Sequence, residues 1–583
     1  MTTLKKICFT FICLIASLSS SAQSQLENLA RVKEEINTIK QLLVFNNDKA
    51  QLPIVKLTGL NIASVDLGFQ YTSVFDSIAN KFTKVEQLAK SYNSESISSL
   101  NLLNDDLKLY NCVILKTSKP LSKGLVALVK ELEKTKQVIL VLNGTYQKSG
   151  FSTFRSPVII SPTNSAIGAS CLAQFIFGAI VTNGKAIRLK YSVPEEVGIN
   201  SDDLDSIPLI IKQAINAKGT PGAVVMIVKD GKVIFNNAYG KHTYSGNRAM
   251  RIQDIFDMAS ITKVAATTAT TMDLYEKGKI GIDNTIGTYI ARTREMPEKK
   301  TITVKEVLLH QAGFYPYIKF YEKLKPNDTD TIFSDRYPTQ LADKYYLRAN
   351  YYNEVMWPEM LQDKVLTRGK YVYSDLSMYY MKEMVEKVAE TPLNKYADQK
   401  YYSPLGMQTA GFLPRTRFKK DQIVPTTEND GWLRNMLVQG FVNDPGAAML
   451  GGVSGHAGFF ANANDMAIFC QMLLNKGSYG GTTYLKPSTI DLFTSKQSNV
   501  SRRGLGFDRK DPDLSKGYPS TLASDEVFGH TGYTGTAIWI DPKYNLVYVF
   551  LSNRVYPDDV NKSLNTLNIR SRIQDVIYRA IKK

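Results

Sequence analysis

The chain has 583 residues and a formal charge of +17, with 44% hydrophobic and 21% charged residues. That balance excludes a disordered chain and suits about two to four packed domains of ordinary size. The excess of Lys and Arg is scattered, with no basic run interleaved with aromatics. No nucleic-acid partner is therefore read from it, although anionic envelope polymers suit the charge.

Residues 1–22 open on Lys5 and Lys6, continue as a short apolar run and end on Ser20 and Ala22. This is the pattern of a secretory signal cut after Ala22, too short to span a bilayer well, and it predicts an exported, periplasmic or secreted protein without a stable transmembrane segment. Removal takes Cys8 and Cys13 away. Cys112, Cys171 and Cys470 remain, scattered in apolar settings, as expected of buried small hydrophobes rather than a disulfide framework or metal site.

Residues 26–45 read as a helix within a 23–45 lead-in. From 46 to 192, short apolar strands (60–67, 111–116, 137–144) alternate with helices (73–82, 121–133). Such alternation predicts an α/β domain with a largely parallel sheet. Its entry, N-N-D-K-A-Q-L-P-I, and its exit, F-I-F-G-A-I-V-T-N-G-K-A-I, resemble the second, α/β sandwich domain of glycoside hydrolase family 3. The helix before it resembles the last helix of that family's barrel. The rest of the barrel, which carries the family's nucleophile, is missing between the signal and residue 46. Glycosidase activity is therefore not carried over, and a structural or docking role is expected.

The segment Y-S-V-P-E-E-V-G-I-N-S-D-D-L links to a second domain over 196–583, with Asn200 or Ser201 as the cap of its first helix. A hairpin follows, turning at Asp230-Gly231, and another spans 536–553 before a C-terminal helix.

Between these hairpins lie three ordered motifs. The first is D-I-F-D-M-A-S-I-T-K, entering a stretch free of Pro and Gly that reads as a helix starting near Ser260. Residues three apart share a helix face, so Lys263 reaches the Ser260 hydroxyl. A hydroxyl becomes a useful nucleophile only when a neighbour takes its proton, and a buried Lys with a lowered pKa is suited to that. The second motif is Tyr373-Ser374-Asp375, ahead of another helix, and the third is His530-Thr531-Gly532, followed by Tyr533. Together with L-L-H-Q-A-G at 308–313 and G-G-V-S-G-H-A-G-F-F at 451–460, they resemble the serine β-lactamase and penicillin-binding-protein superfamily, in its class C-related branch. The resemblance covers about residues 195–583. It implies an antiparallel sheet shared by N- and C-terminal strands and flanked by helices, with a mostly helical half over about 283–450. The whole chain then combines α/β and α+β parts.

The resemblance also implies roles. Ser260 is acylated, Lys263 is the base or its electrostatic partner, and Tyr373 holds its phenol beside them, its pKa lowered by Lys263. Which of the two takes the proton stays open. The oxyanion-hole donors are the backbone N–H groups of Ser260 and Tyr533. Asp375, His530, Thr531 and Gly532 face substrate. Asp375 stands where the family has Asn, so a donor is lost and Lys263 gains an anion that favours its charged form. His530 stands where the family has Lys, removing a fixed cation and weakening or relocating carboxylate recognition; H-T-G resembles the esterase and D-amino-acid-peptidase branches.

His310 is expected to cap a helix that stops at Gly313, and His456, between glycines, to sit in a tight loop near the cleft. His242 carries no signal. The tyrosines of 314–357 either rim the cleft or pack the helical half. No residue spacing suggests a metal, and no cofactor is implied. The reading is an exported serine hydrolase acting through an acyl-enzyme on D-amino-acid peptides or esters, including peptidoglycan fragments. Its rivals are a small-ester esterase and a catalytically silent binding protein.

Overall fold

The computed structural model describes residues 23–144, 146, 151 and 153–582; the signal-peptide reading lies outside the described residues. The first sheet has six strands in the order Leu43–Phe45, Val158–Ser161, Gln137–Asn143, Cys112–Thr117, Ile62–Asp66, Val85–Gln87. Every pairing is parallel except that of Leu43–Phe45 with Val158–Ser161. Alternate side chains along Cys112–Thr117 enter opposite cores: Ile114 joins Phe75 and Leu172 on one face, while Val113 and Leu115 meet Leu100, Leu103 and Val129 on the other. Both faces are covered by helices, which is why these strands read as unbroken apolar runs.

The lead-in differs from expectation. The helix covers 23–41 and the chain then turns into the edge strand Leu43–Phe45. Aromatic and β-branched residues favour a strand here, and the Phe45 ring packs 5.3 Å from that of Phe151.

The second sheet has seven strands in the order Asp508–Arg509, Phe528–Thr531, Ala537–Asp541, Leu546–Ser552, Gly222–Lys229, Lys232–Gly240, Lys190–Tyr191. All its pairs are antiparallel but the last. The hairpin turn at Asp230-Gly231 has φ of 53° and 72°, as a tight two-residue turn requires. One face of the sheet packs on the helices Ser206–Asn216 and Ile569–Lys582, the other on Ala463–Leu474 and the helical half. Asn200 caps the short turn Ser201–Leu204 that leads into Ser206–Asn216.

The two sheets share one apolar core. Arg188 is buried between them, donating to the carbonyls of Ile54 (2.6 Å), Phe177 (2.8 Å) and Val55 (2.7 Å). Tyr191 donates to Asn464 at 2.6 Å, and Asn464 in turn donates to the Lys81 carbonyl at 2.9 Å. Lys190–Tyr191, placed by the sequence on the N-terminal side of the boundary, thus forms the edge of the second sheet. The cleft of that second unit lies where the turn at Ser260, the loop before the helix Leu376–Ala389 and the strand Phe528–Thr531 converge.

Candidate active site

Ser260 is set on a tightly held turn. Ala259 adopts φ of +46°, a conformation that costs a non-glycine residue about 1–3 kcal/mol and persists only where the surroundings enforce it. The enforcement is visible: Ala259 N–H donates to Asp257 Oδ1 at 2.9 Å, Asn443 N–H donates to Asp257 Oδ2 at 2.7 Å, and Met258 N–H donates to the Phe459 carbonyl at 3.0 Å. Burial pushes the Asp257 carboxyl up to about 6, although both amides pull it down. Helical backbone then runs on, as a 3₁₀ turn at Ala259–Ile261, a π-type segment Lys263–Thr268 and the α-helix Ala269–Glu276. The expected helix is present, and the wider π turn within it is a feature common at functional sites.

Lys263 is fully buried. Its Nζ donates to Ser260 Oγ at 2.8 Å, pairs with Asp375 Oδ1 at 2.7 Å and lies 3.3 Å from the His456 carbonyl. Burial alone pulls its pKa down, but Asp375 and then Tyr373 pull it up further, and the result lies above the ordinary lysine value. This corrects the expectation of a lowered lysine pKa: burial is the largest single effect, but Asp375 and Tyr373 together outweigh it. Tyr373 is corrected in the same sense. Burial raises its phenol, Lys263 lowers it, Asp375 raises it, and the net shift is upward, with the hydroxyl hydrogen-bonded to Lys263 and Ser260.

His530 is buried, with Nδ1 2.8 Å from the Thr531 carbonyl. That contact places the proton on Nδ1, so the neutral ring presents only a lone pair at Nε2, which has no partner among the described residues. Burial, Arg503 and Lys263 push its pKa down to about 3, so His530 supplies no positive charge. Thr531 Oγ1 lies 3.3 Å from the Tyr518 hydroxyl. At Gly532 a Cβ would come within 2.1 Å of Thr536 Oγ1 and 2.5 Å of the Met258 carbonyl. Only glycine lets this strand end press against the Ser260 turn. Tyr533 is half exposed, and its carbonyl accepts from Arg554 Nε at 2.9 Å.

Ser260, Tyr373 and Tyr533 line two lobes at once. One, of about 440 Å³, is cationic, with Arg502, Arg503, Arg554, Arg570 and Lys562 facing a single acid, Asp508. Arg503 is 1% exposed and Arg502 pairs with Asp508 at 2.7 Å and Asp511 at 2.5 Å. The sequence analysis missed both; the dipeptide Arg502-Arg503 in S-R-R-G was the available signal. The other lobe, of about 600 Å³, is lined by Tyr317, Phe320, Tyr321, Tyr379 and Trp432 together with Asp375 and Asp444. The tyrosines of 314–357 therefore divide: Tyr317 and Tyr321 rim the cleft, whereas Tyr351 is buried in the helical half.

His456 does reach the cleft. Its Nε2 lies 2.7 Å from Asp444 Oδ1, its Nδ1 2.9 Å from Ser454 Oγ, and its ring stacks on Tyr379 at 4.6 Å. Asp444, also missed, caps the helix Pro445–Met449. Burial raises its carboxyl, but His456 and the cap bond bring it below the usual range. Asp375, Asp444 and His456 bring one donor atom each within 4.8 Å of one another, a convergence that sequence spacing did not suggest. Lys263 already pairs with Asp375, and Asp444 and His456 already hydrogen-bond each other, so these three groups are engaged with partners of their own.

His310 takes φ of +55° just after the helix Val304–Leu308, in the position expected of Gly313, and accepts the Ser374 N–H at 3.2 Å. Its ring packs 4.6 Å from that of Tyr373, and burial, with Arg503 next, holds its pKa far below the ordinary value. His242, away from the cleft, is buried against Asp254 at 2.7 Å.

Residues 209–570 match the protein family described as Beta-lactamase. A Bacillus subtilis (strain 168) protein named N-acetylmuramyl-L-alanine amidase is 32% identical over 427 residues, covering 67% of this chain and 93% of its own length. An Escherichia coli O157:H7 protein, provisionally named a D-alanyl-D-alanine carboxypeptidase, is 29% identical over 439 residues, covering 69% and 96% respectively. Among solved structures, EstCE1, a hydrolase with promiscuous acyltransferase activity, aligns at a TM-score of 0.48 and 20% identity over 65% of this chain and 99% of its own.

Proposed function

The chain belongs to the beta-lactamase family and is a serine hydrolase of the β-lactamase and penicillin-binding-protein superfamily, a peptidase or esterase; within it, we propose an exported enzyme that cleaves amide bonds of cell-wall-derived peptides through an acyl-enzyme on Ser260. The observation that carries this reading is the position of Lys263 Nζ, buried and 2.8 Å from Ser260 Oγ. A silent binding protein has no use for a buried ammonium that bridges a serine hydroxyl and a carboxylate, an arrangement suited to moving the serine proton.

Ser260 Oγ attacks the substrate carbonyl while its proton leaves by way of Lys263. The N–H groups of Ser260 and Tyr533 receive the developing oxyanion, each such donor contributing about 3 kcal/mol in the transition state. Collapse expels the leaving amine, protonated by the same route, and water then releases the acyl group. The cationic lobe takes a carboxylate of the substrate. Arg503 and its neighbours there replace the cation that His530 lacks, and Arg offers a forked, permanently charged partner. The aromatic lobe takes the bulkier acyl portion. Two named relatives, an amidase and a provisional carboxypeptidase, support amide rather than ester cleavage, and support wall fragments as substrates.

The N-terminal α/β unit is proposed to be a structural or docking remnant of the glycoside hydrolase family 3 type, without glycosidase activity. Its helices cover both faces of the sheet, and it shares its core with the hydrolase.

Intact-mass analysis after incubation with a fluorophosphonate, a penicillin and a p-nitrophenyl ester tests the acyl-enzyme. A single covalent adduct on Ser260 is expected with the fluorophosphonate; absence of any adduct on Ser260 would overturn the reading.

A further inference from the structure

Two consecutive short contacts run away from the nucleophile: Ser260 Oγ to Lys263 Nζ at 2.8 Å, and Lys263 Nζ to Asp375 Oδ1 at 2.7 Å. The lysine between them is fully buried. A charged lysine cannot take the serine proton unless it gives one up, and the group placed to receive that proton is Asp375. We propose that Asp375 is the terminal proton acceptor of the acylation step, acting through Lys263, so that an aspartate at this position makes the charged lysine a relay instead of a base.

The step balances. Ser260 Oγ forms a bond to the substrate carbonyl carbon, and the carbonyl π pair moves onto oxygen. The Oγ proton passes to Lys263 Nζ as an Nζ proton passes to the Asp375 carboxylate. Lys263 is an ammonium before and after; the negative charge has moved from Asp375 to the oxyanion. On collapse the proton returns by the same route to the leaving nitrogen. An asparagine at 375 cannot take part, since an amide oxygen does not hold a proton near neutral pH.

The surroundings support a charged lysine. Asp444, paired with His456, adds negative charge from the loop that completes the aromatic lobe, and Tyr379 flanks it from the helix Leu376–Ala389. Tyr373 bonds both Ser260 and Lys263. His310, His530 and Arg503 face the same group from the other side; both histidines are held neutral, so Arg503 is the second fixed cation there. Asp375 retains 26% side-chain exposure and lines the aromatic lobe.

This inference rests on Ser260 as nucleophile. The test is the rate of Ser260 phosphonylation by a fluorophosphonate, followed by intact mass from pH 5 to pH 10, in the wild type, Asp375→Asn and Lys263→Arg. In Asp375→Asn, an isosteric change, the lysine must first lose its proton to solvent. Its rate should fall about 100-fold at pH 7, within the usual range for general base catalysis, and its acid limb should move up by at least two pH units. Lys263→Arg keeps the charge but puts a planar fork where the compact ammonium bridges Ser260 Oγ and Asp375 Oδ1, so it should stay inactive across the range. An Asp375→Asn enzyme with the wild-type pH profile, or a faster one at neutral pH, would show that residue 375 only contacts substrate and overturns the relay. If the wild type is not labelled on Ser260 at all, the proposed acyl-enzyme itself fails, and the relay with it.

Discussion

The Arg503 guanidinium lies 5.6 Å from the centre of the Tyr373 ring and is 1% exposed. A buried arginine on the tyrosine beside Ser260 puts a permanent positive charge in a cleft where His530 carries none. Arg503 also reaches the Tyr371 hydroxyl at 3.4 Å and the Gly506 carbonyl at 3.2 Å, which fixes its plane. Arg503→Lys keeps the charge and loses the fork. KM for a peptide with a free carboxylate should rise about 10-fold, equivalent to about 1.4 kcal/mol, while KM for the same peptide capped as an amide should hardly move. Equal changes for both substrates would remove Arg503 from carboxylate recognition.

Ser260→Ala should abolish fluorophosphonate labelling and leave the thermal unfolding midpoint close to the wild type, because only one partly exposed hydroxyl is lost. Undiminished turnover of an ester by this variant would place the nucleophile elsewhere.

Lys263 and Tyr373 hydrogen-bond the same hydroxyl and each other. Residues that act as a unit give non-additive losses. The double variant Lys263→Ala, Tyr373→Phe should be within about threefold of the poorer single variant in kcat, on the pattern seen for such units. Losses that multiply in the double variant would assign the two residues independent steps.

Gly532→Ala should damage activity more than any conservative change on the same strand. Its Cβ would meet the Met258 carbonyl at 2.5 Å, and a backbone atom cannot yield as a side-chain tip can. The strand end must retreat from the Ser260 turn, taking the Tyr533 amide with it. We expect kcat to fall about 100-fold, the scale of one lost oxyanion donor, with KM changed less. A variant with wild-type kcat would separate Tyr533 from the oxyanion hole.

His310 and His530 give a pH dependence of stability with a definite sign. Both have folded pKa values below the ordinary histidine value near 6.5, His530 at about 3, so the folded state resists protonation that the unfolded state accepts. Stability is therefore present above about pH 6.5 and is lost as pH falls from there toward 3, by up to about 1.4 kcal/mol per pH unit for each group. Between pH 6.5 and 5, above the range where ordinary carboxylates titrate, the slope of unfolding free energy in His310→Gln, His530→Gln should be flatter than in the wild type. An unchanged slope would mean that neither histidine is held neutral by the fold.

The three motifs were legible in the sequence because their chemistry depends on short spacings and local backbone. Ser260 and Lys263 meet because three residues separate them on helical backbone, Gly532 is glycine because of a close approach at its own position, and alternating apolar runs announced both sheets. Even the aspartate at 375 declared itself, as an anion beside Lys263. What the sequence left open was the sign of each balance. Burial acts on Lys263 in one direction and Asp375 and Tyr373 in the other, and only their contacts inside the fold decide that the two partners together prevail. The partners brought in from far along the chain were likewise invisible. Arg503 comes 130 positions after Tyr373 and Asp444 comes from the loop before Pro445–Met449; no periodicity links them to Ser260. They meet because a shared apolar core draws the helical half against one face of an antiparallel sheet, and burial of apolar surface, being non-directional, leaves no local mark of which distant side chains it will bring together.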